Sequence, residues 1–224
     1  MSIVITGGAG FLGTLLTRHL LSEADAGRLE SSEIISFDLA PSTVTDPRVR
    51  SVVGAITDED AVGQAITGTT TAIIHLAAVL SGGSEADFDS AMTVNVDGTR
   101  MLLEAARNAS EPDGAPAPRF VFTSSLAVFG GDVPDLMPEH WATQPDSTYG
   151  ATKAIGELLV NEYSRKGFVD ARICRLPTIS VRPGQPNSAA SSFASGIIRE
   201  PLNGVASEVP VPHDTPMWLS SPQV

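Results

Sequence analysis

Tyr149 and Lys153 are the two side chains of this sequence whose types and spacing best suit proton transfer. They are four residues apart in a segment with helical periodicity, so they project from one face of the helix about one turn from each other. A tyrosine hydroxyl titrates near pH ~10, but a neighbouring lysine cation favours the phenolate. The pair therefore predicts a general base, although this spacing also arises by chance on exposed helices.

Two serines, Ser124 and Ser125, end the apolar segment RFVFTSS (119–125), which precedes that helix. The carboxyl ends of strands are where doubly wound sheets bind their ligands. We expect Ser125 to hold the reacting oxygen of a substrate, with Ser124 as the second choice. Serines in this position also serve simply as caps of the following turn.

A glycine-rich turn, Gly7-x-x-Gly10-x-x-Gly13, follows the apolar segment SIVIT (2–6) and opens onto an amphipathic helix. Glycines there allow a tight turn and a close approach of the backbone to a pyrophosphate, while the start of the helix offers free N–H groups. A plain glycine-rich turn is the alternative. In this strand-turn-helix context, the pattern predicts a dinucleotide site.

Asp38 ends the second apolar segment, about 25 residues beyond Gly13, close to the position of the carboxylate that binds the adenosine ribose hydroxyls. Its charge would repel a 2′-phosphate, and the next four residues (39–42, LAPS) supply no arginine to neutralise one. Asp38 therefore predicts NAD rather than NADP. The alternative is an ordinary aspartate in a turn.

Short apolar segments alternate with longer amphipathic ones along the chain. This alternation predicts an α/β fold with a doubly wound parallel sheet of the Rossmann type. The predicted strands are 2–6, 33–38, 49–56, 71–77, 119–125 and 171–179. The predicted helices are 11–24, 58–66, 85–109 and 148–168. Residues 111–118 and 130–147 are interpreted as loops, and residues from 180 onward as polar and irregular.

The 224 residues carry 14 basic and 26 acidic side chains, for a formal net charge of −12. This charge disfavours nucleic acids and anionic membrane surfaces as partners. The single cysteine and four scattered histidines predict neither a disulfide nor a metal site. Because the sequence has no signal peptide pattern and no long apolar run, we expect a cytoplasmic protein.

Six motifs together resemble the extended short-chain dehydrogenases/reductases, the family that includes the NAD-dependent epimerases and dehydratases. They occur in the family's order over about the first 180 residues. The motifs are TGGAGFLG (6–13), HLAA (75–78), NVDGT (95–99), TSSLAVFG (123–130), YGATK (149–153) and RLPT (175–178).

The resemblance implies that Ser125, Tyr149 and Lys153 are catalytic and that Tyr149 and Lys153 also contact the dinucleotide. Ala55 stands where many members have an aspartate that contacts adenine, so Ile56 is expected to supply only backbone and packing contacts. The other residues that the resemblance places around NAD are Gly7, Gly10, Phe11, Leu12, Gly13, Asp38, Leu76, Ala77, Ala78, Asn95, Pro177 and Thr178.

Several longer stretches, among them LAAVLSGGSEADFD (76–89), look like the branch of the family that oxidises a four-carbon sugar acid, a D-erythronate-like compound, at C2. Tyr149 would take the hydroxyl proton while a hydride leaves for NAD. The substrate carboxylate needs a cation, for which Arg182 and Arg199 are available, although either could be a solvated surface charge. The other expected substrate contacts are Ser81, Ser125, Tyr149, Asn187 and Ser192.

Two alternatives remain at this point. A nucleotide-sugar epimerase would use the same residues but keep its NAD, and a non-enzymatic sensor would bind NAD without needing Tyr149. A dehydratase is disfavoured because Leu126 and Ala127 replace its acidic pair. We expect an NAD-binding domain over residues 1–179, an apparently incomplete substrate region over residues 180–224, and a homodimer, as is common in the family.

Overall fold

Six parallel strands form the central sheet, in the order β3-β2-β1-β4-β5-β6. The computed structural model describes residues 1–30, 33–109, 116–184 and 188–222. The strands of the sheet are β1 (Ser2–Thr6), β2 (Glu33–Asp38), β3 (Val49–Val53), β4 (Thr70–His75), β5 (Arg119–Ser125) and β6 (Asp170–Leu176). This order confirms the predicted doubly wound fold, in which the direction of winding reverses between β1 and β4.

Helices connect the strands and cover both faces of the sheet. They are α1 (Phe11–Asp25), α2 (Glu59–Ala65), α3 (Ser81–Ala86), α4 (Phe88–Ala91), a π-helix (Met92–Gly98), α5 (Thr99–Ala109), α6 (Thr148–Arg165) and α7 (Phe193–Leu202). Among the described residues, no helix is both long and apolar enough to cross a membrane.

The central strands are apolar because both of their faces are covered. All five residues of β1 are buried, and so are the four middle residues of β2. Two apolar clusters result: one contains Val4, Phe37 and Phe120, and the other contains Ile5 and Leu21. The sheet is thus a rigid platform for the loops at its carboxyl edge.

The helix predicted over 85–109 is wrong as a single element. The backbone leaves the helical region at Asp87 (φ −143°, ψ 92°), whose side chain accepts a hydrogen bond from the Ser90 N–H and so starts α4. The π-helix that follows has wider turns than an α-helix, and α5 begins where it ends. A 3.6-residue periodicity cannot reveal these changes, because the apolar positions still recur at nearly the same spacing.

Three strands end before their predicted last residue. β3 ends at Val53 and β4 at His75, each before its predicted end. β6 ends at Leu176 because Pro177 has no N–H to donate. Thr178–Ile179 (β7) instead pairs with Leu219–Ser220 (β8) in a second, two-stranded sheet.

Helix α7 lies in the stretch that was predicted to be irregular. Its buried residues, Ala194, Ser195 and Gly196, are small, so the helix lacks a strong apolar stripe in the sequence. Residues 130–147 contain no helix or strand, as predicted. Of the other predicted loop, residues 111–115 lie outside the described part of the chain.

Candidate active site

A cavity of about 1070 Å³ opens along the carboxyl ends of the central strands. Its walls come from the loops after β1, β4 and β6, from the ends of β2 and β5, and from the start of α6. This is the position at which doubly wound sheets bind dinucleotides, beside the point where the strand order reverses.

The loop between β1 and α1 forms a cradle that leaves no space for side chains. Gly7 has φ +69°, and a Cβ atom there would lie 2.9 Å from the Ala77 nitrogen. A Cβ atom on Gly13 would lie 2.3 Å from the Gly7 oxygen. Helix α1 begins after Gly10, which offers no side-chain cap. Free helical N–H groups beside a bare backbone fit a pyrophosphate.

Asp38 lies at the far end of this cradle and lines the cavity. One of its carboxylate oxygens accepts a hydrogen bond from the Ala9 N–H at 3.0 Å, and the other accepts from the Leu39 N–H at 2.6 Å. The backbone therefore holds the carboxylate in place, with lone pairs remaining for hydroxyl donors. This arrangement fits ribose hydroxyls and disfavours an added phosphate.

Most of the residues predicted to surround the cofactor lie along this same cavity. Ile56 is buried and contributes to the wall, as do the backbone segments after β4 and β6. The predicted cofactor residues on the wall are Gly7, Gly10, Phe11, Leu12, Gly13, Asp38, Ile56, Leu76, Ala77, Ala78, Tyr149, Lys153, Pro177 and Thr178.

Asn95 is the exception, because its side chain lies behind the wall. Its amide oxygen accepts from the Val79 N–H at 2.8 Å, and its amide nitrogen donates to the Val79 oxygen and to the Thr152 hydroxyl, both at 3.1 Å. Asn95 thus joins the segment after β4 to α6. Its role in cofactor binding remains a prediction, and this geometry would make that role indirect.

Tyr149, Lys153 and Ser125 meet at one end of the cavity. The Ser125 side chain lies close enough to Tyr149 to act on the tyrosine hydroxyl. The ammonium nitrogen of Lys153 donates to the Thr123 carbonyl at 2.8 Å and lies 5.7 Å from the centre of the Tyr149 ring. Helix α6 can approach β5 this closely because Gly156 faces the Phe122 ring, where a Cβ atom would lie only 2.5 Å away.

Burial shifts both titrating groups. It raises the pKa of Tyr149, while the hydrogen bond from Ser125 acts in the opposite direction. Burial lowers the pKa of Lys153 to about 8. An ammonium group with this pKa is still mostly charged near neutral pH, so it can stabilise a phenolate at Tyr149, whose ring centre lies 5.7 Å away.

Ser124 points away from this cluster. Its hydroxyl donates to the Glu157 carboxylate at 2.6 Å, and Glu157 also receives two hydrogen bonds from Arg175 at 2.7 and 2.9 Å. Ser124 is 2% exposed and gives its only hydroxyl proton to Glu157, so it has none left to donate to a substrate oxygen. The geometry favours Ser125 as the substrate-facing hydroxyl.

The four described residues among the remaining predicted substrate contacts, Ser81, Arg182, Ser192 and Arg199, also line the cavity. Asn187 lies outside the described residues. Arg199 donates to the Arg182 carbonyl at 2.8 Å and is paired with Glu200. Burial, together with the nearby Arg199 charge, lowers the pKa of Arg182.

Sequence reasoning missed several wall residues. Glu85 lines the cavity, and its carboxylate accepts from the Thr148 N–H, at the start of α6, at 2.6 Å. Met217 and Trp218 reach the cavity from the far end of the chain. These contacts join segments far apart in sequence, and no local pattern signals them. Among the described residues, no three metal-binding side chains lie close enough together to hold an ion.

Comparison with known proteins agrees with this site. A model described as the NAD dependent epimerase/dehydratase family matches residues 3–218. The chain is 52% identical over its whole length to a D-erythronate dehydrogenase of Cupriavidus necator, of which it covers 69%. It is 45% identical over 99% of its length to a D-erythronate dehydrogenase of Haemophilus influenzae, again covering 69% of that protein.

A solved structure of a nucleoside-diphosphate-sugar epimerase from Agrobacterium tumefaciens has a TM-score of 0.87 to this chain. The two are 40% identical, and the match covers 100% of this chain and 66% of that one. A short-chain dehydrogenase/reductase from the same organism, solved with bound NAD, is 35% identical over 80% of this chain and half of its own, with a TM-score of 0.65.

Replacing the Asp38 carboxylate tests the cofactor preference. Asp38→Ser should weaken NAD binding by on the order of tenfold or more, because charge-assisted hydrogen bonds to the ribose are lost, and should narrow the preference over NADP. Titration calorimetry with both dinucleotides measures this. Asp132→Ser, the same loss of charge in an exposed loop, is the control. Equal affinity of the unmodified protein for NAD and NADP would contradict the role of Asp38.

Proposed function

This chain belongs to the NAD-dependent epimerase/dehydratase family, and from that premise we propose that it is a dehydrogenase for a small sugar acid. It oxidises the C2 hydroxyl of a D-erythronate-like acid to the 2-oxo acid with NAD as the oxidant. The observation that carries the proposal is the cluster of Ser125, Tyr149 and Lys153 in the same cavity as two arginine side chains. The similarity of this chain to two D-erythronate dehydrogenases, of each of which it covers 69%, supports the choice of substrate.

The glycine cradle and Asp38 would hold the dinucleotide at one end of the cavity. The backbone N–H groups at the start of α1 bind the pyrophosphate, and Asp38 accepts hydrogen bonds from the adenosine ribose. Lys153 reaches the same cavity from α6 and would donate to the second ribose. NAD, when bound, accepts the hydride that leaves C2.

Three side chains would take part in removing the proton of the substrate C2 hydroxyl. Ser125 and Tyr149 both hydrogen-bond the C2 hydroxyl, and Tyr149 as phenolate takes its proton while the C2–H bond gives up its hydride. The alcohol thus loses one proton to the Tyr149 oxygen and two electrons with the hydride, and a carbonyl results. Lys153 stabilises the phenolate through its charge, since burial weakens competing solvation.

Arg182 is the better candidate for binding the substrate carboxylate. The Arg199 side chain is nine-tenths buried and forms an ion pair with Glu200. It also donates a hydrogen bond to the Arg182 carbonyl, which holds the backbone of Arg182 in place. The Arg182 N–H donates to the Ser195 hydroxyl at 3.0 Å, so α7 holds the backbone of Arg182 on both sides. Arg199 would act by positioning Arg182, and Ser81, Ser192 and Asn187 would contact the substrate hydroxyl groups.

An epimerase is the second candidate, favoured by the similarity to the Agrobacterium tumefaciens protein of that name. It would use the same three residues but return the hydride to the other face of the carbon. Release of NADH during turnover separates the two. An NAD-binding sensor would bind the dinucleotide and oxidise nothing.

We further propose a cytoplasmic homodimer, with residues 1–179 binding NAD and residues 180–224 contributing to substrate binding. Leu158 on α6 is 71% exposed and offers an apolar contact for a second copy. The exposed free thiol of Cys174 suits a reducing compartment. Light scattering measures the mass in solution.

The first prediction of this proposal concerns Tyr149. Incubation of the protein with NAD and D-erythronate should produce NADH, and Tyr149→Phe should lower kcat by on the order of 10² or more, because the base is removed. NAD affinity should change little, since the ring remains. Tyr163→Phe, which removes a tyrosine distant from the cavity, is the control. Undiminished turnover in Tyr149→Phe would exclude this residue as the base.

The second prediction concerns Arg182. Arg182→Ala should raise KM for the sugar acid about tenfold or more, through loss of a charged hydrogen bond, with NAD affinity unchanged. Arg182→Lys should recover part of the loss, because a lysine keeps the charge without the paired donors. Arg172→Ala, at an exposed position of β6, is the control. If KM stays the same in Arg182→Ala, another group binds the carboxylate.

A further inference from the structure

We infer that His75 is a positioning residue for NAD: its buried ring links β1, the segment after β4 and α5 into one hydrogen-bonded relay behind the cofactor cavity. His75 is 1% exposed, and the two threonines on either side of it, Thr6 and Thr99, are fully buried. The inference rests on the proposed placement of NAD beside the glycine cradle.

Both nitrogen atoms of the ring have a threonine partner. The Nδ1 atom lies 2.7 Å from the Thr6 hydroxyl, at the end of β1. The Nε2 atom lies 2.9 Å from the Thr99 hydroxyl, at the start of α5. His75 is the last residue of β4, so its ring spans from one side of that strand to the helix layer.

The direction of each hydrogen bond follows from the other partners. Thr99 donates its only hydroxyl proton to the Asn95 carbonyl at 2.6 Å, so it must accept from His75 Nε2–H. The Thr6 oxygen accepts from the Ala77 N–H at 3.2 Å and can give its own proton to Nδ1. The relay therefore runs from Ala77 through Thr6, His75 and Thr99 to Asn95 and defines one neutral tautomer.

The surroundings keep the ring neutral. Burial, together with the positive charge of Lys153, lowers the pKa of His75 to about 3. The ring packs against Phe122, with centroids 5.7 Å apart, and the Lys153 ammonium lies 4.9 Å from the centre of that same phenyl ring. A charged His75 would place a second cation beside Lys153, whereas the neutral tautomer satisfies all of its partners.

The relay and the Asn95 side chain together hold the two ends of the wall segment Leu76–Val79. At its start, Thr6 holds the Ala77 nitrogen, the atom that would be 2.9 Å from a Cβ on Gly7. At its end, the Asn95 side chain holds both backbone groups of Val79. The spacing between this segment and the glycine cradle therefore depends on hydrogen bonds that never touch the cofactor. Loosening the relay should reduce NAD affinity more than it affects the chemistry at Tyr149.

Three variants test the relay, each measured by titration calorimetry with NAD. Thr6→Val and Thr99→Val each remove one bond to the ring at nearly constant volume, and His75→Phe removes both. Each should raise the Kd for NAD about fivefold, the usual net worth of one buried hydrogen bond. Thr70→Val is the matched control: Thr70 is the first residue of β4, the strand that ends at His75, and its replacement should leave the Kd for NAD unchanged.

The double variant separates a relay from independent structural effects. In a relay, breaking one end releases the ring from the other, so Thr6→Val with Thr99→Val should weaken NAD binding by less than the product of the two single effects. A purely structural role would lower the Tm of each variant and leave the Kd unchanged. An unchanged Kd, or effects that multiply, overturns the inference, and the threonine variants decide it even if His75→Phe does not fold. Failure of the unmodified protein to bind NAD would instead refute the proposed function.

Discussion

The buried ammonium group of Lys153 is the constraint on which the arrangement of this site depends. Lys153 is 3% exposed, and burying a charge is costly unless polar groups surround it. The Thr123 carbonyl and the faces of the Phe122 and Tyr149 rings partly replace water. Because this replacement is incomplete, burial lowers the pKa of Lys153. A phenolate at Tyr149 would supply the missing stabilisation of the Lys153 charge. Burial of Lys153 therefore favours the phenolate form of Tyr149, which is the proposed base.

The neighbouring groups leave the charge of Lys153 available to Tyr149. Glu157 is one helical turn further along α6, where a carboxylate could have paired with the lysine. It is bound instead by Arg175 and Ser124. His75, on the other side, is neutral and fully engaged by two threonines. The sheet therefore keeps both a competing anion and a competing cation away from the Tyr149–Lys153 pair.

The features predicted best from sequence are those set by local chemistry. β1, β2 and β5 have their predicted bounds, because a run of apolar residues ends at a glycine turn or a polar residue. The π-helix was not predicted, because its wider turns leave the spacing of apolar residues in the sequence almost unchanged. The contacts of Glu85, Asn95 and His75 were not predicted either, because each joins segments far apart in the chain and depends on tertiary packing. Helix α7 carries small buried residues that do not stand out from a polar loop.

Spectroscopic titration of Tyr149 tests the central claim most directly. The chain has only two tyrosines, so in Tyr163→Phe the absorbance of tyrosinate near 295 nm reports on Tyr149 alone. With NAD bound, we expect this phenolate to form at a lower pH when Lys153 is present than in Lys153→Met, because the cation stabilises the phenolate. Titration of Tyr149 at the same pH with and without the lysine would contradict the account.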